Sequence, residues 1–180
     1  MLTYQPYDRL APLPRGEGTS SSSLRLEETH QDAIRSLGEA AFQEEFWEIF
    51  HTTLKEADRD SLVVLNNNSK VVAFALLARQ NRFGLPLGAQ NNDCLELAYL
   101  VVDPAFQGQG IGSTLLQKVK ELSPLVILEV SHTNPNAERL YKKHGFERWR
   151  RLYTEPNHGY LMGWSKTREE RLTSLRSGPD

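Results

Sequence analysis

The period of the apolar positions changes from stretch to stretch, and each change marks an element. Leu62 to Leu65 and Val71 to Leu77 are nearly continuous apolar runs separated by the polar Asn66 to Lys70, which predicts two strands joined in a hairpin. Leu95 to Val102 and the β-branched Val126 to Val130 predict two more strands. Helical spacing takes over elsewhere. Asp32 to Leu37 and Ala40 to Leu54 predict helices, the second with Phe42, Phe46, Ile49 and Phe50 recurring along it. Ile111, Leu115, Leu116, Val119 and Leu122 form one stripe on a helix over Ile111 to Leu122. Pro135 to His144 predicts a further helix, with proline in its first turn and Gly145 as its stop. Leu24-Arg25-Leu26 predicts a short strand, and Phe146 to Tyr153 with Gly159 to Trp164 predicts a closing hairpin around Glu155-Pro156-Asn157. The order is β-α-α-β-β-β-α-β-α-β-β, the pattern of a mixed α/β sheet flanked by helices.

The two ends stand apart from this alternation. Residues 1–23 hold Pro6, Pro12, Pro14, Gly16, Gly18 and the run Ser20 to Ser23. Such a segment buries too little apolar surface to offset the entropy of ordering it, so a flexible arm is expected. Tyr4, Tyr7, Leu10 and Leu13 give part of it the means to dock. Residues 166–180 are highly charged and read as a C-terminal tail. One domain over residues 24–165 remains between them. Within it, Asn81 to Asp93 is rich in Gly, Pro and Asn and predicts a loop, the rim or lid of a site.

Composition narrows the function classes. Of the 180 residues, 39% are apolar and 24% charged, as in a soluble globular protein. The net charge of −2 argues against a dedicated nucleic-acid binder. No apolar run approaches the roughly 20 residues that span a bilayer, so no membrane partner is expected. The first ten residues lack a basic stretch followed by an apolar one, and a cytoplasmic location is expected. Cys94 is the only cysteine, which rules out a disulfide within the chain. The five histidines show no metal-ligand spacing, and no metal is expected. The charge is uneven: Glu27 to Asp60 holds ten acids against three bases, while Glu138 to Glu155 is basic.

Candidate chemistry centres on Gln107-Gly108-Gln109-Gly110-Ile111-Gly112, between a predicted strand and a predicted helix. Glycines let backbone approach a ligand closely, and a helix start offers N–H groups and the positive end of a dipole. Together they make an anion site suited to phosphate or pyrophosphate. A Walker A loop is excluded, because no Gly-Lys-Ser/Thr follows. A dinucleotide fingerprint fits poorly: Asp103 to Gln107 intervenes after the strand and Ser113 takes the third glycine position. Glu129, near the spacing of a ribose-binding acid, keeps that alternative open.

The same residues resemble the GNAT superfamily of N-acetyltransferases. Gln107 to Gly112 is similar to the Q/R-x-x-G-x-G/A acyl-CoA signature, and Leu100-Val101-Val102-Asp103-Pro104 looks like its strand end. Asn134, Ala137, Leu140, Tyr141, Gly145 and Phe146 fit the second signature, N-x-x-A-x-x-L-Y-x-x-x-G-F, with Asn134 27 residues after Gln107. The resemblance implies a twisted, largely antiparallel mixed sheet of about six or seven strands with a splay between the fourth and fifth, flanked by about four helices. It implies that pantetheine lies along the backbone of Leu100, Val101 and Val102. The backbone of Gln107, Gly108, Gln109, Gly110, Ile111, Gly112 and Ser113 would hold the pyrophosphate, and Asn134 and Tyr141 would contact the cofactor. The implied activity is transfer of an acetyl group from acetyl-CoA to an amine by direct attack in a ternary complex, by a monomer or homodimer. The alternative is a non-catalytic acyl-CoA-binding regulatory module.

Attack requires a neutral amine, and alkylamines with pKa near about 10 must first lose a proton. The resemblance makes Tyr141 the general acid for the leaving thiolate, although Tyr141 shares a helix face with Ala137, Leu140 and His144 and fits a core role too. Glu96, eleven residues before Gln107, matches the strand base of histone-acetylating members. Glu129, five before Asn134, resembles the base of enzymes that acetylate ribosomal-protein N-termini. Both remain open, as do a structural pairing with arginine and a water chain in place of a direct base. An N–H of Val101 or Val102 is the candidate oxyanion donor. Cys94 reads as a small core or edge residue rather than a nucleophile. Arg148, Arg150 and Arg151 around Trp149 read as a solvated face rather than a base-stacking site. The acids Glu39, Glu44, Glu45 and Glu48 either cover the wet side of their helices or favour a cationic acceptor.

Overall fold

The computed structural model describes residues 1–6, 22–58, 60–79, 94–153 and 158–167. Its elements run β1 (Thr3–Pro6), α1 (Ser22–Ala41), α2 (Trp47–Lys55), β2 (Leu62–Leu65), β3 (Val71–Ala78), β4 (Cys94–Val102), α3 (Ile111–Leu122), β5 (Leu125–Ser131), α4 (Pro135–Lys143), β6 (Glu147–Tyr153) and β7 (His158–Ser165). The strands are hydrogen-bonded in the order β1-β2-β3-β4-β5-β7-β6, a mostly antiparallel seven-stranded sheet with β4 and β5 parallel. No helix among the described residues is long and apolar enough to cross a membrane.

The element order agrees with the sequence pattern, but the first strand is elsewhere. Thr3–Pro6, expected in the flexible arm, pairs antiparallel with β2, Thr3 opposite Leu65 and Pro6 opposite Leu62. Leu24 to Leu26, expected as a strand, lies within α1. Three residues of alternation are too few to oppose a helix that continues for a further fifteen positions. The helix expected over Ala40 to Leu54 is two pieces. The indole Nε1 of Trp47 donates to the carbonyls of Glu39 and Phe42, which closes the end of α1, and a 3-10 turn over Glu44–Phe46 leads into α2. This break rotates the stripe: Phe50 is fully buried, while Ile49, expected on the same side, is 56% exposed. The expected loop Asn81 to Asp93, the turn at Glu155 to Asn157 and most of both expected tails lie outside the described residues.

Two compact units divide the chain. The first comprises Met1–Ala78 and Tyr99–Gly112; the second comprises Arg79–Ala98 and Ser113–Asp180. Strand β4 contributes to both.

In the first unit, Phe50 is the hub. Its ring meets Phe42 at 5.7 Å, Tyr99 edge-on at 5.2 Å and Phe74 at 6.0 Å. Ile34, Leu54, Val63, Leu65, Val71, Leu76 and Val101 fill in around it. The ring fits because residue 38 is glycine: a Cβ there would lie 2.2 Å from Phe50 Cζ. His51 Nε2 and Glu39 Oε1, 2.7 Å apart, bind α2 to the last turns of α1.

In the second unit, β5 is fully registered with β7, from Leu125 opposite Ser165 to Ser131 opposite Gly159. Its alternation is the expected one: Val126, Leu128 and Val130 are buried on one side. On the other side, Cys94, Ile127 and Leu161 form a smaller apolar cluster with Leu125 and Leu152. Gly145, with φ 83°, ends α4 as expected, and Phe146 N–H donates to the Tyr141 carbonyl at 3.1 Å.

Candidate active site

In the first unit, the end of β4 leads into the glycine loop through a built turn. Asp103 N–H donates to the Val72 carbonyl, which holds the strand end against β3. The Asp103 carboxylate then accepts from Ala105 N–H at 2.9 Å, with Pro104 pre-set for the 3-10 turn over Pro104–Phe106. Gln107 sends its side-chain Nε2 back to the Val102 carbonyl at 3.1 Å. The sequence suggested only a backbone role for Gln107, so this contact adds a second: it pins the loop to the strand it follows. The Asp-Pro pair was the readable signal for the turn.

Gly108 and Gly110 have φ of 76° and 80°, the left-handed region that disfavours side chains. A Cβ at either position would meet nothing within 4 Å, so the space beside both is open. Gly108, Gln109 and Gly110 are exposed, and Ile111 is buried, which anchors the first turn of α3. This turn carries no acidic residue. An exposed glycine loop with open space at a helix start suits a pyrophosphate, whose oxygens can accept from backbone N–H groups.

In the second unit, the other candidate residues sit on β4, β5 and α4. The parallel register pairs Cys94–Glu96 with Leu125–Ile127. Glu96 stands opposite Ile127, and Glu129 follows Ile127 by two residues, so the pleat puts both carboxylates on one side of the sheet. Glu96 is 2% exposed and Glu129 half-buried. Glu129 lies opposite Leu161 of β7. Apolar strand positions rarely hold carboxylates without a task or a partner. Leu100, Val101 and Val102 lie in the first unit, past the end of the registered β4–β5 pairing.

Tyr141 is 8% exposed, its ring 5.9 Å from that of Phe146. Burial pushes its phenol up to about 12, so it stays protonated at neutral pH. Asn134 caps α4: its Oδ1 accepts from Ala137 N–H at 3.0 Å, with Pro135 next in the chain. Cys94 is buried, and burial, then the charge of Glu96, pushes its thiol up to about 11. A thiol so held is a poor nucleophile at neutral pH, in keeping with the core role read from the sequence. Among the described residues, no group of three or more His, Cys, Asp and Glu is placed to hold a metal.

A mixed, mostly antiparallel seven-stranded sheet with one parallel pair, β4 and β5, and a glycine loop that opens a helix one short turn after β4 is the GNAT fold. The model of the acetyltransferase (GNAT) family matches residues 26–146, and the chain belongs to that family. Among solved structures, the fold is similar to a putative GNAT acetyltransferase from Desulfovibrio desulfuricans, with TM-score 0.65, 15% identity, and coverage of 92% of this chain and 99% of that one. It is also similar to a chain of the NatC complex bound to Gag peptide and CoA, with TM-score 0.63, 17% identity and coverage of 91% and 98%. The ribosomal-protein-S18-alanine N-acetyltransferase from Escherichia coli gives TM-score 0.60, 20% identity and coverage of 92% and 94%. No curated protein sequence matches the chain significantly.

Proposed function

We propose that the chain is an acetyl-CoA-dependent N-acetyltransferase that acts on a primary amine by direct transfer in a ternary complex. The observation that carries this reading is the pair Gly108 and Gly110, both at positive φ with open space where a side chain would be, at the start of α3 in a chain of this family. When bound, acetyl-CoA supplies the acetyl group as an activated thioester. The backbone of Gln107 through Ser113 holds its pyrophosphate, and the backbone of Leu100, Val101 and Val102 its pantetheine. An N–H of Val101 or Val102 donates to the thioester carbonyl oxygen. Asn134, whose Oδ1 is taken by the cap, contributes through its amide nitrogen. Glu96 or Glu129 accepts the amine proton, and Tyr141 donates a proton to the departing sulfur.

The NatC complex is bound to a Gag peptide and CoA, and the Escherichia coli enzyme is named for an alanine of ribosomal protein S18. Both support a protein α-amine as the acceptor. The exposed acids Glu44 and Glu48 support a cationic acceptor more generally, whereas Glu39 is engaged with His51. A cytoplasmic location is part of the proposal.

The test is CoA release from acetyl-CoA with a panel of small polyamines, lysine peptides and peptides with free α-amines. Tyr141→Phe is expected to lower kcat by about 100-fold with little change in acetyl-CoA affinity. CoA binding without turnover on any amine would replace this reading with a non-catalytic acyl-CoA-binding module. Preference for acidic or neutral acceptors would remove the cationic-acceptor clause.

A further inference from the structure

Strand β6 is the edge of the sheet, next to β7. A bulge between Arg148 and Arg150 takes up Trp149 as an extra residue, so Arg148 and Arg151, three apart, emerge on the same side. The register sets Arg148 opposite Met162, Arg151 opposite Tyr160 and Tyr153 opposite His158. One side of the hairpin therefore carries Arg148, Arg151, Tyr153, His158 and Tyr160.

These side chains stack. The guanidinium carbon of Arg148 lies 3.7 Å from the Tyr160 ring centroid, and that of Arg151 lies 5.1 Å from the Tyr153 ring. Tyr153 meets His158 edge-on at 5.8 Å, and His158 lies 6.1 Å from His132. Glu138 of α4 holds the Arg148 guanidinium by two hydrogen bonds, at 2.6 and 2.8 Å, which fixes that group over its ring. From Glu138 to Tyr153 the chain has six bases against two acids, and Arg139, Lys142, Lys143 and Arg151 are exposed. The overall charge of −2 hides this, because the basic stretch is balanced by the acidic Glu27 to Asp60.

Charge on an edge strand blocks pairing with another chain, and that accounts for the arginines. It does not account for Tyr153, 70% exposed in the same row. We propose that this side of the β6–β7 hairpin binds a single-stranded nucleic acid. Unpaired bases stack on Tyr153 and on the outward side of the Arg148 guanidinium, while phosphates meet Arg151 and Lys142, whose ammonium Glu138 holds at 2.7 Å beside Arg148. An acidic peptide would need the cations and have no use for the exposed ring. A duplex keeps its bases stacked on each other and offers no free face. The proposal does not rest on acetyl transfer, and its test needs no acetyl-CoA.

The full chain is titrated with a fluorescently labelled oligouridylate of about ten nucleotides, at about 50 and about 200 mM salt, and anisotropy is read. Saturable binding that weakens with salt is expected. Tyr153→Ala should weaken it by about 5- to 100-fold, and Tyr153→Phe should retain it. Arg151→Gln should lower the slope of log affinity against log salt by about 0.7. No binding, equal affinity for a duplex of the same length or for polyglutamate, or an unchanged affinity for Tyr153→Ala would each overturn the proposal. Circular dichroism checks that the variants fold, and if Tyr153→Ala does not, the Arg151→Gln slope decides.

Discussion

At the start of α4, Oδ1 of Asn134 accepts from Ala137 N–H, Pro135 removes one donor that would have lacked a partner, and Glu138 adds a carboxylate in the first turn. At the start of α3, the residue before the helix is Gly110, which has no side chain to fold back, and the first turn has no acid. Both helices begin with N–H groups turned outward and a positive dipole end. The first meets that need from its own sequence. The second leaves room for an anion from outside, at the cost of two glycines in a strained region. A helix start capped by its own side chain serves stability; one begun on glycine, with the space beside it clear, has room for a ligand.

The contrast can be broken experimentally. Gly110→Asp puts a side chain and a negative charge into the open space and forces a non-glycine residue to φ 80°. CoA affinity, measured by titration calorimetry, should fall by more than about 100-fold, and an unchanged affinity would refute the assignment of the loop. Tyr141→Phe, inside the closed helix, should leave CoA affinity nearly intact while kcat falls by about 100-fold. The wild-type rate should show no loss traceable to Tyr141 ionising until the pH nears about 12, its raised value; a tyrosine-dependent loss near pH 9 would remove the acid role.

Asn134→Ala should cost about 1 kcal/mol of folding stability by thermal or urea unfolding, with Asn134→Ser recovering most of it. CoA affinity should fall too, because the amide nitrogen is lost in both variants; a loss of affinity with no change in stability would show that the cap is incidental. The smallest effect is at Glu138. Hydrogen bonds from Arg148 and then Lys142 lower its carboxyl from 4.5 to about 2. A lowered pKa stabilises the fold fully above about 4.5 and loses that contribution as pH falls through about 2. Glu138→Gln should therefore lower stability slightly at neutral pH and flatten the acid side of the stability profile; an acid side as steep as in the wild type would show that the Arg148 pair contributes nothing.

What was legible in the sequence was local. The glycine loop, the Asp-Pro turn, the proline and glycine at the two ends of α4 and the stripe of α3 are set within a few residues, because turns and helices close their hydrogen bonds within that distance. The family signature is legible for the same reason: it is built of such turns. The acid and base candidates were named from position, but nothing local said how they share the sheet.

Pairing across the sheet decided the rest. Thr3–Pro6 becomes a strand only because β2, some sixty residues on, offers it an edge, and Leu24 to Leu26 joins a helix because its flanks do. That Glu96 and Glu129 lie on one side follows from the parallel register, which no local pattern encodes. The same holds for the bulge at Trp149, which brings Arg148 and Arg151 onto one side with the rings of Tyr153 and Tyr160. The sequence by itself determined which segments bend, coil and carry the glycine loop. Only the tertiary structure decided which strands meet and which side each side chain faces, because a one-residue change of register reverses every side of a strand.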